Sequence, residues 1–366
     1  MQRKAEASRV EATVLWRLRR KLGRMRITSI TPMKNEAPFI LEWVAYHRLI
    51  GVNDIIVFSN DCTDGTDLML ERLDELGLLR HYPNPCMTTN LPKPHLQAMR
   101  YINSSQRLRR SDWVVSLDVD EFIRVNVGEG HLEDLFNAVP DANMICMNQL
   151  NFGHGGVEAF KDELLLNQFE YCWDYTNPYH RDINRRGVKT FTHASSKPKS
   201  WNNHSPVFAR KEAEQVRCFN GNGIRLTDQN FRKDIKSLTA PEYGYDLVQL
   251  NHYALRARDT FLLKVHRGNA NFGHEEKDAQ QIVSSQMKYW RRYDNNHQHD
   301  VRIQSMADDA TTARTELLKD PELRQLHMAA VSNAQERIAE MKQDDGMDAL
   351  LTRIQRHIDR NPIGIR

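Results

Sequence analysis

The stretch Trp113-Val-Val-Ser-Leu-Asp118-Val-Asp120-Glu121-Phe122 carries an apolar run straight into three carboxylates. Such a run reads as a buried strand, and acids just past its end fall where open α/β sheets bind ligands. Two carboxylates at i and i+2, at a point where the chain can turn, can share one divalent cation. Mg²⁺ and Mn²⁺ favour hard oxygen donors of this kind together with phosphate. A metal–diphosphate site is therefore expected at Asp118 and Asp120.

Working outward, the amino-terminal side alternates strand and helix. Ile27 to Thr31 is β-rich and ends at Pro32; Pro38 suits the first turn of a helix that Gly51 closes; Asp54 to Phe58 is an apolar strand core. A turn through Asp61 to Gly65 leads to a helix from Thr66 to Leu76, stopped by Gly77, and a strand near Leu79 to Tyr82. A polar loop, Pro83 to Pro94, precedes a helix over His95 to Leu108. This alternation predicts an α/β fold with a doubly wound, mostly parallel sheet. Beyond Asp118 it weakens. Strand-like pieces recur at Met144 to Leu150, Val188 to Thr192 and Leu247 to Tyr253, within a loop-heavy region rich in Asn, His and Trp that reads as the acceptor side. From about Thr260 the pattern is helical. The expected organisation is a basic segment over 1–25, a domain over 26–260 divided at 122, and a helical extension over 261–366.

The 366 residues are 40% hydrophobic and 27% charged, as in soluble globular proteins. No run approaches the roughly 18 apolar residues of a spanning helix, and the basic start does not read as a secretory signal. Five widely spaced cysteines, with no CxxC pair, suit reduced thiols in a cytoplasmic protein. Residues 1–26 hold nine basic side chains against Glu6 and Glu11, with Val10, Val14, Leu15, Leu18, Leu22 and Met25 at helical spacing. Such a helix can lie on an anionic membrane, placing the protein at the inner face of the plasma membrane, or pack as a solvated leader on its own domain. The net charge is only +3, so the rest of the chain is mildly acidic and no nucleic-acid partner is expected.

Two more polar loops fall at the same sheet edge as the acids. Pro32-Met33-Lys34-Asn35-Glu36 offers Lys34 to phosphate and Asn35 or Glu36 to a base or sugar; Asn60, Asp61, Asp64 and Gly65 form a turn in which Thr66 can cap the next helix. Lys34-Asn35-Glu36 with Leu41 to His47, then Asn60-Asp61-Cys62-Thr63-Asp64-Gly65-Thr66, then Trp113 to Phe122, resembles the bacterial family 2-type glycosyltransferases, in the branch that shares its pattern with family 92-like enzymes. The resemblance covers about residues 26–260. It implies a GT-A fold, a nucleotide-diphosphate sugar donor and a divalent cation, Mn²⁺ or Mg²⁺, on Asp118 and Asp120. Family 2 proteins often carry two adjacent acids in the second loop; Ser59-Asn60 stand there in this chain, which leaves the base, usually uracil, open.

The resemblance also implies that His252, in Leu250-Asn251-His252-Tyr253, completes the metal site, and it places His193, Lys197 and His204 beside the donor sugar or acceptor. Lys264 and Arg267 suit the leaving diphosphate. An inverting transferase needs a carboxylate base, for which Asp182, Asp246, Glu275 and Glu276 are candidates by position. The reading is a metal-dependent hexosyltransferase that moves sugar, from UDP-sugar by the family habit, to a saccharide or lipid-linked acceptor in surface polysaccharide or lipopolysaccharide synthesis. Two alternatives stand beside it. One is a nucleotidyltransferase, against which no Gly-rich triphosphate loop follows the first strand; the other is a non-catalytic carbohydrate-binding or membrane-surface scaffold.

Overall fold

The computed structural model describes residues 25–89, 93–105, 107–175, 185–267 and 279–363. The basic segment expected to meet a membrane therefore lies almost wholly outside the described residues. The chain opens with β1 (Ile27–Met33), α1 (Ala37–Leu49), β2 (Asp54–Ser59), α2 (Thr66–Glu75), β3 (Arg80–Pro83), α3 (Pro94–Ser104) and β4 (Trp113–Ser116). Strands β4, β1, β2 and β3 lie side by side and parallel.

Period-two alternation divides the core between the two faces of this sheet. Ile55 and Val57 face α1 and α2, whereas Ile56 and Phe58 pack with Ile30, Val114 and the α3 residues Ala98, Met99 and Ile102. Covering helices on both faces explain why the β2 run is continuously apolar. Helix α1 begins with Pro38 in its first turn and is buried on nearly every side. It lies between the sheet and further helices, which accounts for apolar residues spread all around it.

The second half continues the sheet. It contains β5 (Glu121–Val125), β6 (Met144–Asn151), β7 (Arg185–His193), β8 (Ser237–Thr239) and β9 (Val248–His252). The spatial order is β6-β7-β4-β1-β2-β3, with β8 on β7 and β9 joining β5 to β6. The expected α/β class holds, with one local difference. β7 runs antiparallel to both β4 and β6, and β5 antiparallel to β9. The amino ends of β5 and β7 therefore lie at the edge formed by the carboxyl ends of β1, β2, β4, β6 and β9.

Helices α4 (Arg258–Arg267), α5 (Ala279–Tyr293), α6 (Ala307–Leu317), α7 (Pro321–Met341) and α8 (Asp345–Arg360) complete the chain. α6 packs on α1, and α7 on α1, α2 and α4. Asp320 caps α7 by accepting from Leu323 N–H, and Arg72 of α2 ties the same carboxylate at 2.7 Å. Of these helices α6 and α7 pack into the main core, whereas α4, α5 and α8 gather around Phe261, Trp290 and Ile354, with α4 and α5 reaching the sheet edge. Among the described residues no helix is long and apolar enough to cross a membrane.

Candidate active site

A cleft of about 640 Å³ opens at that shared edge, floored by Asp118, Val119 and Asp120 and walled by α4 and α5. The chain leaves β4 at Ser116 and re-enters a strand at Glu121, so the acids occupy the turn between two oppositely directed strands. Glu121 lies directly opposite His252, and His252 opposite Asn151, so the β9 register delivers the imidazole beside the acid pair.

Each acid is met by a lysine. Lys189 of β7, wholly buried, gives its ammonium to Asp118 Oδ2 at 3.2 Å and to Asn203 Oδ1 at 2.8 Å, and lies 3.5 Å from Glu121. Lys264 of α4 donates to Asp120 Oδ2 at 2.8 Å and to the Ala254 carbonyl. Burial opposes ionisation of both aspartates, but the ammonium of Lys189 at Asp118 and that of Lys264 at Asp120 more than offset it; both carboxyls sit below the usual range. Glu121 goes the other way. Full burial, with Asp118 and Asp120 alongside, pushes it up to about 8 against the pull of Lys189. Its oxygens accept from Gln149 Nε2 at 2.6 Å and Asp118 N–H at 2.9 Å. Glu121 is therefore the brace that shapes the turn.

His252 is buried, which lowers its pKa to about 4 despite Asp120 and keeps the ring neutral. Its Nδ1–H donates to Asn151 Oδ1 at 2.9 Å, leaving the Nε2 lone pair 3.7 Å from Asp120 Oδ1. A ring nitrogen oriented by a partner on the other nitrogen is the arrangement metal-binding histidines use. Asp118 Oδ1 is buried and has no hydrogen-bond partner. The donor set of two carboxylate oxygens and a neutral imidazole thus suits Mn²⁺ or Mg²⁺, although among the described residues these groups are not drawn into a closed three-ligand cluster.

The first two loops use their polar atoms differently. Asn35, at φ 51°, accepts from Thr63 N–H through Oδ1 at 2.8 Å. Asp64 accepts from Ala37 N–H and Thr66 N–H, both at 3.0 Å, and the Thr66 hydroxyl accepts from Glu36 N–H. Gly65, at φ 88°, takes the N-cap position of α2 expected for Thr66, a backbone conformation that favours glycine. Asn60 is buried beside Asp61, and Asp61 is exposed, 3.7 Å from Lys34. Pro32, Lys34 and Glu36 do line the cleft, as do Lys264 and Arg267. Glu36 is gripped by Arg256 at 2.9 Å and by Arg267, which also donates to the Lys34 carbonyl. Arg256, at φ 58°, lies with its guanidinium 3.6 Å over the Phe39 ring.

Three expected positions need correction. His193 pairs with Trp113, the first residue of β4, because β7 is antiparallel; it and the following Lys197 lie at the opposite edge from the acids. Asp246 is exposed ahead of β9, at the other end of the strand from His252. His204 does line the cleft, with Nδ1 on the Val188 carbonyl at 3.0 Å. Glu275, Glu276 and Asp182 lie outside the described residues. Sequence reading missed Lys189, Arg256 and His95. A lysine between Val188 and Phe191 of a strand-like run was the available signal, since a buried lysine needs a carboxylate partner.

An α/β sheet with acids, a neutral histidine and paired cations at its carboxyl edge defines a class of ligand-binding α/β protein. The particular family is clear from sequence: residues 25–252 match glycosyltransferase family 92, and the chain belongs to that family. A family 92 protein of Oryza sativa subsp. japonica is 31% identical over 95 residues, covering 25% of this chain and 15% of that protein. One from Ricinus communis is 30% identical over 134 residues, covering 35% and 23%. These matches span less than a quarter of either relative. Among solved structures, S. aureus TarS aligns over 72% of this chain and 43% of its own, at 13% identity and a TM-score of 0.31. Glucosyl-3-phosphoglycerate synthase from Mycobacterium tuberculosis, solved with Mn²⁺ and UDP, aligns over 38% and 47% at 18% identity and a TM-score of 0.24. Superpositions this loose carry no argument about activity.

Proposed function

We propose that the protein transfers a sugar from a nucleotide-diphosphate sugar, UDP-linked by the family resemblance, to a saccharide or lipid-linked acceptor, with inversion and with a divalent cation. The observation that carries this is the acid pair at the β4 end facing Lys264 and Arg267, in a chain of family 92. In the reaction the bond from the anomeric carbon to the diphosphate oxygen breaks, the acceptor oxygen forms the new bond, and its proton passes to a base. Asp118, Asp120 and His252 would hold the cation. A cation held there would supply neutralisation of the charge that develops on the leaving diphosphate.

The chain's own residues supply the rest. Lys189 and Glu121 fix the angle at which Asp118 meets the cleft, and Asn151 fixes the His252 tautomer. Lys264 and Arg267 are cations already placed for a diphosphate, so little reorganisation accompanies reaction. Helices α4 and α5 narrow the cleft against water. We further infer, from the charge and apolar spacing of residues 1–26, a peripheral contact with anionic membrane that brings the site to a surface-polysaccharide acceptor.

The test is release of nucleoside diphosphate from a panel of UDP- and GDP-sugars with Mn²⁺, Mg²⁺ or EDTA. Cation-dependent release from one donor supports the reading. No release from any donor, with no metal-dependent nucleotide binding, removes it in favour of a non-catalytic scaffold.

A further inference from the structure

The two ends of the cleft differ in what their cations face. Toward β1, Lys264 and Arg267 lie on Asp120 and Glu36. At the other end Arg185 opens β7, Lys236 precedes β8, and Arg292 stands on α5 across the gap. The β7–β8 pairing, which sets Ser237 opposite Gly187, holds the first two on one wall. All three are exposed, and among the described residues no carboxylate forms an ion pair with any of them. Arg186, between them in sequence, is instead buried over the Trp173 ring at 3.9 Å.

Between the two ends lies an aromatic surface, bounded on one side by Lys264, whose Nζ sits 5.2 Å from the Tyr289 ring, and on the other by Arg292. Tyr289 and Tyr293, one helical turn apart on α5, set their rings 4.6 Å from each other, and Tyr293 meets His252 edge-on at 5.3 Å. Both tyrosines line the cleft beside Arg292. Ring faces suit the apolar face of a sugar, and their hydroxyls suit its edges. Exposed cations on two opposing walls suit an anion held between them, with arginine able to take it through two parallel N–H bonds.

We propose that this end binds the acceptor and that the acceptor is an acidic saccharide, bearing a carboxylate or a phosphate. The inference rests on the transferase reading for the word acceptor; the anion preference itself is a property of binding. The sugar ring lies along Tyr289 and Tyr293, and its anionic group meets Arg185, Lys236 and Arg292.

Ligand-observed NMR titration of the full chain tests this with galactose, galacturonate and galactose 6-phosphate. At least one anion is expected to bind about 10-fold or more tightly than galactose, with the margin shrinking as NaCl rises from about 50 to about 500 mM, as screened ion pairs do. The two anions show which group is favoured. Exchanging Arg185→Gln, Lys236→Gln and Arg292→Gln together should bring anionic and neutral sugars to within about twofold of each other. Arg292→Gln alone, on an exposed helical position, should lose part of the margin and guards against misfolding of the triple variant. Equal affinities, no binding of either anion, or a margin that survives the triple exchange would overturn the proposal. Failure of nucleoside-diphosphate release in the donor panel would strike only the transferase reading, since the binding margin is measured without turnover.

Discussion

The turn after β2 and the turn after β4 look alike in sequence, each setting two aspartates a few residues apart at one sheet edge, yet the structure uses them in opposite ways. Asp64 gives both oxygens to backbone N–H groups and so ties the starts of α1 and α2 together. Asp118 keeps one oxygen buried and unpartnered, and Asp120 keeps one facing a neutral histidine. The contrast teaches that a polar loop becomes a site when its acceptors are not consumed by the backbone. In the second turn that condition is met because lysines from distant strands and helices, Lys189 and Lys264, balance charge from behind.

The sharpest way to break this contrast is at Asp120. Asp120→Asn keeps the shape but removes the charge that a cation and Lys264 require. Turnover should fall at least about 100-fold, the scale seen when one preorganised electrostatic group is lost at a reacting centre. Nucleoside-diphosphate release measured with saturating Mn²⁺ checks it. A variant retaining more than a tenth of the wild-type rate would put Asp120 with Asp64 on the structural side of the comparison.

Lys189 tests whether the balancing charge is real. Lys189→Met fills the same space and leaves Asp118 beside Glu121 without the buried ammonium. Breaking a buried pair on one side costs about 3–5 kcal/mol, so the urea midpoint should drop well outside error. An unfolding free energy within about 0.5 kcal/mol of wild type would mean that Asn203 and solvent suffice.

Glu42 sharpens the comparison by supplying a buried carboxyl with no lysine behind it. It accepts from Leu165 and Leu166 N–H at 2.9 and 3.2 Å, and burial raises its pKa from 4.5 to about 7 despite those bonds. Between those values the folded chain holds a proton that the unfolded chain has released, so this group's stabilisation is complete below pH 4.5 and is lost as pH rises to about 7. The loss amounts to about 3 kcal/mol. Glu42→Gln cannot ionise, so the stability difference between wild type and variant should move by that amount from pH 4.5 to pH 8. A difference that stays constant would show that the carboxyl titrates in the folded chain as it does in the unfolded one.

The fold was largely legible in the sequence because local signals agreed with it: Pro38 and Gly51 bracket α1, Gly77 follows α2, and the runs at β2 and β4 are apolar between their end residues. The acid pair was legible for the same reason, since its meaning depends only on a strand end. His193 and Lys197 were misplaced because direction is not a local property. An isolated run such as Val188 to Thr192 reads the same whether parallel or antiparallel, and reversal sends its flanking residues to opposite edges. Arg185 and Lys189 came to the site by that reversal. Arg256 was invisible for a different cause, its role resting on Glu36 and Phe39 more than two hundred positions away.

Asp64 carries the smallest expected effect and bears most directly on what the turn after β2 is for. If Asp64 serves only as a tie, Asp64→Ala removes acceptors from the first N–H groups of two helices, at a cost of about 1–2 kcal/mol. The donor KM should then change little, since the cleft-lining Lys34 and Glu36 keep their own partners, Asp61 and the two arginines. If instead Asp64 touched the nucleotide, the donor KM would rise tenfold or more while the melting temperature stayed put. Measuring both on the same preparation separates the two, because a loosened tie lowers stability first whereas a lost ligand contact leaves it untouched.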